Sequence, residues 1–175
     1  MKRSVVLLAF ILIAATSAFA QKFAYIDTEY ILSNIPEYKT AQTDLDNLSK
    51  QWQEQVERKY SEIDKMYKDY QAEEILLTEE MKTKRREDII KAEQAAKDFQ
   101  KSKFGVDGEL FKKRQELIKP IQDEIYKAVK EISSIGQYAI IFDKSSALTL
   151  IYTNPKYDKS DDVIKRLGYS PSQSK

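Results

Sequence analysis

The sequence predicts an α+β chain, predominantly α, in which a long antiparallel helical hairpin projects as a tentacle from a small oligomeric β body. Three observations predict it. Between Pro36 and Ser134 the chain runs for about a hundred residues of polar, charge-dense helical pattern. Short strand-like segments flank that stretch on both sides. The chain carries only four Gly and four Pro in 175 residues, which suits long uninterrupted helices. A helix pair this polar cannot bury itself in a globule, so it must stand out from a body as an arm.

The first twenty residues read as a cleaved leader. Lys2 and Arg3 are basic, Val5 to Ala15 is an apolar run too short to span a bilayer comfortably, and Ala18-Phe19-Ala20 is an A-x-A cleavage pattern. A mature chain of residues 21–175 is then exported. Lys22 to Asp27 reads as a short strand with both faces apolar, so both should be buried. Thr28 is placed to cap a short helix that Pro36 interrupts or restarts.

From Tyr38 a long helix carries an apolar stripe of Leu45, Leu48, Trp52, Val56, Tyr60, Ile63, Tyr67 and Tyr70. The mean step is about 3.6 residues, which predicts a nearly straight or weakly wound helix pair. At 1.5 Å per residue the arm should be roughly 50–60 Å long. The far turn should fall at Ile75 to Thr78, where three consecutive apolar residues break the period. Thr78 then offers an N-cap, with Glu79 and Glu80 in the first turn. The return helix continues through Met81, Ile89, Ala96, Phe99, Val106, Leu117, Ile125 and Ile135. Pairing about residue 77 sets Trp52 beside Lys101 to Phe104. Gly105 and Gly108 sit inside this helix, either as a hinge or as a site of close packing against Trp52. Beyond it, Tyr138 to Asp143 and Leu148 to Thr153 read as strands, and Ser160 starts a short helix closed by Gly168 at C′.

Charge and composition exclude several functions. The formal net charge is +1, and −1 without Lys2 and Arg3, so no basic excess marks a nucleic-acid binder. The chain has no Cys and no His. That removes disulfides, Ser-His-Asp and Cys-His catalysis, and the commonest metal-ligand sets. No cofactor is expected, and the paired acids Glu73-Glu74 and Asp161-Asp162 read as solvated or helix-start residues. Three short strands cannot form a stable core alone. The body is therefore expected to be shared among copies through Phe23, Tyr25, Ile26, Ile121, Ile125, Ile140, Phe142 and Leu150. The arm tip offers apolar and polarisable surface in Met66, Tyr67, Tyr70, Ile75, Leu76, Leu77 and Met81. Tyr67 and Tyr70 also fit the hairpin seam. Lys82, Lys84, Arg85 and Arg86 form a basic cluster after the turn.

The segments FAYIDTEYILSNIPEY, AIIFDKSSALTLIY and SDDVIKRLG, in this order around a charged helical hairpin, resemble the Skp/OmpH family of periplasmic chaperones. The resemblance implies a homotrimer with three helical tentacles that holds unfolded outer-membrane proteins in a cavity, without ATP, in the periplasm. An anionic membrane surface or lipopolysaccharide is a further partner on this reading, and nucleic acid is not. The expected organisation is a leader at 1–20, a body from 21–37 and 120–169, an arm at 38–119 and a disordered tail at 170–175. An exported coiled-coil stalk without chaperone activity is the competing reading, and a carboxylate- or lysine-based enzyme a weaker one.

Overall fold

The computed structural model describes residues 21–146 and 150–172. The expected leader lies outside the described residues. The chain divides into two compact units, one combining the segments up to Asn34 and from Tyr126, the other Ile35–Ile125.

In the first unit, β1 (Lys22–Ile26) pairs in parallel with β2 (Tyr138–Asp143). Phe23 lies opposite Ile140, Ala24 opposite Ile141 and Tyr25 opposite Phe142. On the other side of β1, Tyr25 forms a single parallel bridge with Asp158, and the Lys159 amide donates to the Tyr25 carbonyl at 2.9 Å. Burial follows from these partners: Ala24, Tyr25 and Ile26 are buried, whereas Phe23 stays exposed beyond the bridge. Helix α1 (Thr28–Ser33) is capped by Asp27 and not by Thr28. Asp27 Oδ1 accepts from the Tyr30 amide at 2.9 Å, and the Thr28 amide is taken instead by Asp143 Oδ1 at 3.1 Å.

Helix α5 (Ser160–Arg166) fully buries Val163 and Ile164. Gly168 follows it at φ +90°, the left-handed conformation expected of a C′ glycine. Ser160 is the one buried polar side chain among the described residues. Its hydroxyl accepts from the Asp27 amide at 2.8 Å and donates to Asp158 Oδ1 at 2.6 Å. One hydroxyl thus ties the end of β1 to the start of α5. Part of the expected disordered tail is held as well: the Ser172 carbonyl accepts from the Tyr30 hydroxyl at 2.7 Å, and its amide donates to Asn34 Oδ1 at 2.7 Å.

The second predicted strand after β2 differs. Positions 148 and 149 lie outside the described residues, and Leu150 to Thr153 form no strand. An extended segment becomes a strand only by pairing, and among the described residues this one pairs with neither strand of the β1–β2 sheet. Ile151 is 97% exposed and Tyr152 80%.

In the second unit, α2 (Pro36–Glu73) starts two residues before the predicted boundary, because proline suits the first helical turn, where no N–H is needed. A 3₁₀ turn (Glu74–Leu76) and the Thr78 cap make the corner, with Thr78 Oγ1 accepting from the Met81 amide at 3.3 Å. Helix α3 (Glu79–Phe104) returns antiparallel. The expected single return helix is broken here. α3 ends at Gly105, and α4 (Glu109–Gly136) begins afresh, so Val106 leaves the predicted stripe and becomes exposed. Ile118, absent from the predicted stripe, is buried against Ala41 and Leu45, and Leu117 of that stripe packs beside it, as does Leu110. A second cluster packs Ile63 on Ile89 and Ala96.

Two stability predictions follow from the first unit. Ile164→Ala should cost about 2–5 kcal/mol. Ser160→Ala should cost about 1–3 kcal/mol, because the half-buried Asp27 amide loses its acceptor. Urea unfolding at fixed protein concentration checks both. The pH dependence has two limbs. Burial pushes the Asp143 carboxyl up, but hydrogen bonds from Ser145 and Thr28 outweigh it and hold the group below the ordinary aspartate range. Its contribution is complete above that range and is lost as pH falls through the folded value. The hydrogen bond and ion pair with Asp27, 3.1 Å away, outweigh burial and raise the Lys144 ammonium. Its contribution is complete below the ordinary lysine range and is lost as pH rises. Urea midpoints should be flat near neutrality and fall at both extremes, and Asp143→Asn should shallow the acid limb.

Candidate functional site

Three surfaces bear on function. The first is the hairpin end. Ile75 is 91% exposed and Leu76 81%, side by side on the 3₁₀ corner. Among the described residues no third element covers this corner. Leu77 is half-buried and Met81 exposed. Met66 and Tyr70 pack against the Ile63–Ile89–Ala96 cluster and so belong to the seam. Tyr67 stays partly exposed while its hydroxyl donates to Glu93 Oε1 at 2.9 Å across the hairpin, and this bond is the first cause raising its pKa.

The basic cluster is largely answered by acids. Lys82 pairs with Glu79 at 2.8 Å and Arg85 with Glu73 at 3.1 Å. Lys84 and Arg86 are exposed and stand outside these pairs. Between positions 73 and 88 six acids face four cations. The end is therefore slightly acidic, and its distinguishing property is apolar exposure rather than charge.

The second surface is the break in the return helix. Trp52 and Phe104 meet edge to face, with centroids 6.3 Å apart. This is the neighbourhood that the hairpin register predicts. The Lys103 ammonium lies 4.9 Å from the Trp52 ring and 5.4 Å from Phe99, and pairs with Glu109 at 2.5 Å. Sequence reasoning singled out Gly105 and Gly108 here and missed Lys103. The (i, i+4) relation of Phe99 and Lys103, on the face turned to Trp52, was the available signal.

The third surface is an open groove of about 740 Å³ in the first unit. Phe23, Phe142, Leu150, Tyr152 and Tyr157 line it, and Phe23 and Phe142 stack at 6.4 Å. Of the residues expected to bury between copies, Tyr25, Ile26 and Ile125 are buried within this chain, and Ile121 is half-buried. Phe23, Ile140 and Leu150 remain exposed, and Phe142 half-buried. Ile151 and Tyr152 join them, a pair that sequence reasoning placed on a strand but not at the interface. Among the described residues no group of three or more carboxylates is placed to hold a metal ion.

Comparison with known proteins gives these surfaces a context. A protein of Aquifex aeolicus (strain VF5), itself uncharacterised, is 26% identical over 156 residues, spanning 89% of this chain and 91% of that one. A solved structure from Caulobacter crescentus, described as a candidate outer membrane chaperone (OmpH-like), superposes with a TM-score of 0.65 at 13% identity. It covers 85% of this chain and 84% of its own, and shares the fold. The family model for OmpH-like outer membrane proteins matches residues 22–167, from the first residue of β1 to just past α5. The chain belongs to the OmpH-like outer membrane protein family.

Proposed function

We propose that this protein is an ATP-independent holdase chaperone of the periplasm. Three copies join through their β segments, and their helical hairpins surround a cavity in which unfolded outer-membrane proteins are kept from aggregating. Family membership and the description of the Caulobacter protein support the chaperone role. The observation that carries the reading is the bare hairpin end, where Ile75 and Leu76 sit on a convex corner. A convex apolar corner offers no pocket for catalysis, but it can make weak contacts with many different apolar segments.

Outer-membrane barrel proteins alternate apolar and polar residues, and in transit they expose apolar segments to water. Fully burying one aliphatic side chain contributes about 1.5–3 kcal/mol. Two per hairpin are enough to retain such a segment when several hairpins act together, and too few to trap it. Release needs no nucleotide, because transfer to a tighter site or to the folded state is downhill. The groove of the first unit, with Ile151 and Tyr152 beside it, is the surface a second copy would cover.

A urea-unfolded β-barrel protein diluted into buffer without nucleotide should stay soluble in the presence of the chaperone. Ile75→Ser with Leu76→Ser should remove most of that protection while leaving the helical circular dichroism intact. Full protection by the double variant would discard the bare corner as the holding surface, and no protection by the wild type would favour a stalk. For assembly, the solution mass should be three times that of one chain. Ile151→Asp with Tyr152→Asp should reduce it, as read by light scattering; an unchanged mass would place the interface elsewhere.

A further inference from the structure

The return side of the hairpin is interrupted, and one ammonium group spans the interruption. Between Phe104 and Glu109 the helical ladder lapses. The Gly105 amide still reaches the Lys101 carbonyl at 2.8 Å, and the Lys112 amide starts the next ladder on the Gly108 carbonyl at 3.1 Å. Between them a single bond joins the Gly108 amide to the Gly105 carbonyl, at 2.9 Å. Both glycines are required by the turn itself. A Cβ on Gly105 would lie 2.4 Å from the Lys101 carbonyl oxygen, and one on Gly108 would lie 2.8 Å from that of Lys103. Neither approach can be relieved by rotating a side chain.

The break separates two packed regions. Toward the corner, Ile63 packs on Ile89 and Ala96 of α3. On the other side, Ala41 and Leu45 pack on Ile118 of α4. Trp52 lies on α2 between them, and Lys103 gathers all three helices at that level. Its stem comes from the last turn of α3, where a cation is favoured by the helix dipole. Its ammonium lies over the Trp52 ring of α2 and pairs with Glu109, the first residue of α4, where an acid is favoured. The Lys103 side chain is only 17% exposed, so the pair is partly shielded from water and salt. Few backbone bonds hold α3 to α4 here, which leaves the side-chain tie to set how far the joint opens.

We infer that Lys103 is a positioning residue: it clasps the Gly105–Gly108 joint shut by pairing with Glu109 while resting on Trp52, and its release lets the hairpin bend there. This rests on the reading that hairpins enclose a client, because a joint that opens admits larger ones. It does not follow from that reading, and it is tested without any client.

Hydrogen exchange of the whole mature protein reads the clasp directly. In Lys103→Met, which keeps an apolar stem on the rings, and in Glu109→Gln, the Gly108 and Lys112 amides should exchange about tenfold faster than in the wild type. Amides beside Ile63 and Ala41 should be unchanged. Trp52 is the only tryptophan in the chain, so its emission should shift to the red in both variants. Lys103→Arg keeps the charge and should restore both readouts. Exchange in Glu109→Gln that matches the wild type, or that quickens equally along the whole hairpin, would overturn the clasp. So would failure of Lys103→Arg to restore it. A chain that clasps as described but protects no client would sink the chaperone reading and leave the clasp standing.

Discussion

The strand pair β1–β2 is the constraint on which the rest depends. Its two members are parallel neighbours, yet the entire helical hairpin lies between them in the sequence. A flexible connection of that length would add closure entropy growing only with the logarithm of its length, but rigid helices deviate strongly from that behaviour. They either return the chain to the right place or prevent pairing. The seam of the hairpin therefore has to be in register along its length: Ile118 against Ala41 and Leu45, Phe104 against Trp52, Glu93 against Tyr67.

Much of this register is legible in the residue pattern. Apolar residues recurring every three or four positions fix which faces meet, and the lapse at Ile75 to Leu77 fixes where the chain turns. Thr78 and Gly168 announce a helix start and a helix end through single-residue chemistry that needs no tertiary information. Two features are not legible for a shared reason. The tie among Asp27, Ser160 and Asp158 joins residues more than a hundred positions apart, and no local pattern encodes such a bond. The capping role of Asp27 is likewise not legible, since Thr28 is an equally competent cap by residue type, and only the fold, in which Asp143 accepts from the Thr28 amide, decides between them.

The segment after β2 teaches a different lesson. Leu150, Ile151 and Tyr152 have the composition of a strand, and in one chain they are not one. β propensity measures how well a side chain fits a pleated, half-buried surface, and among the described residues this segment is not paired onto one. The glycine pair is the converse case. Each Gly lowers helix stability by about 1 kcal/mol relative to Ala, yet two of them three positions apart read equally well as a tolerated weakness or as a stop. What decides is backbone geometry: with Cβ atoms excluded by carbonyl oxygens, the chain turns where a continuous helix would have run.

The same chain thus leaves apolar surface bare in two places for opposite reasons. At the corner, Ile75 and Leu76 are bare because, among the described residues, no element packs over the end of the two-helix hairpin. Near the groove, Ile151 and Tyr152 are bare on a segment of strand-like composition, which in the assembly proposed above a second copy would pair and cover. With no cysteine in the sequence, no disulfide can compensate for a small core, so the exposed strand segment has reason to be satisfied by association. Surface that association can cover permanently builds an assembly. Surface that it cannot cover stays free for transient contacts, and the holdase proposed above would use both kinds in one molecule.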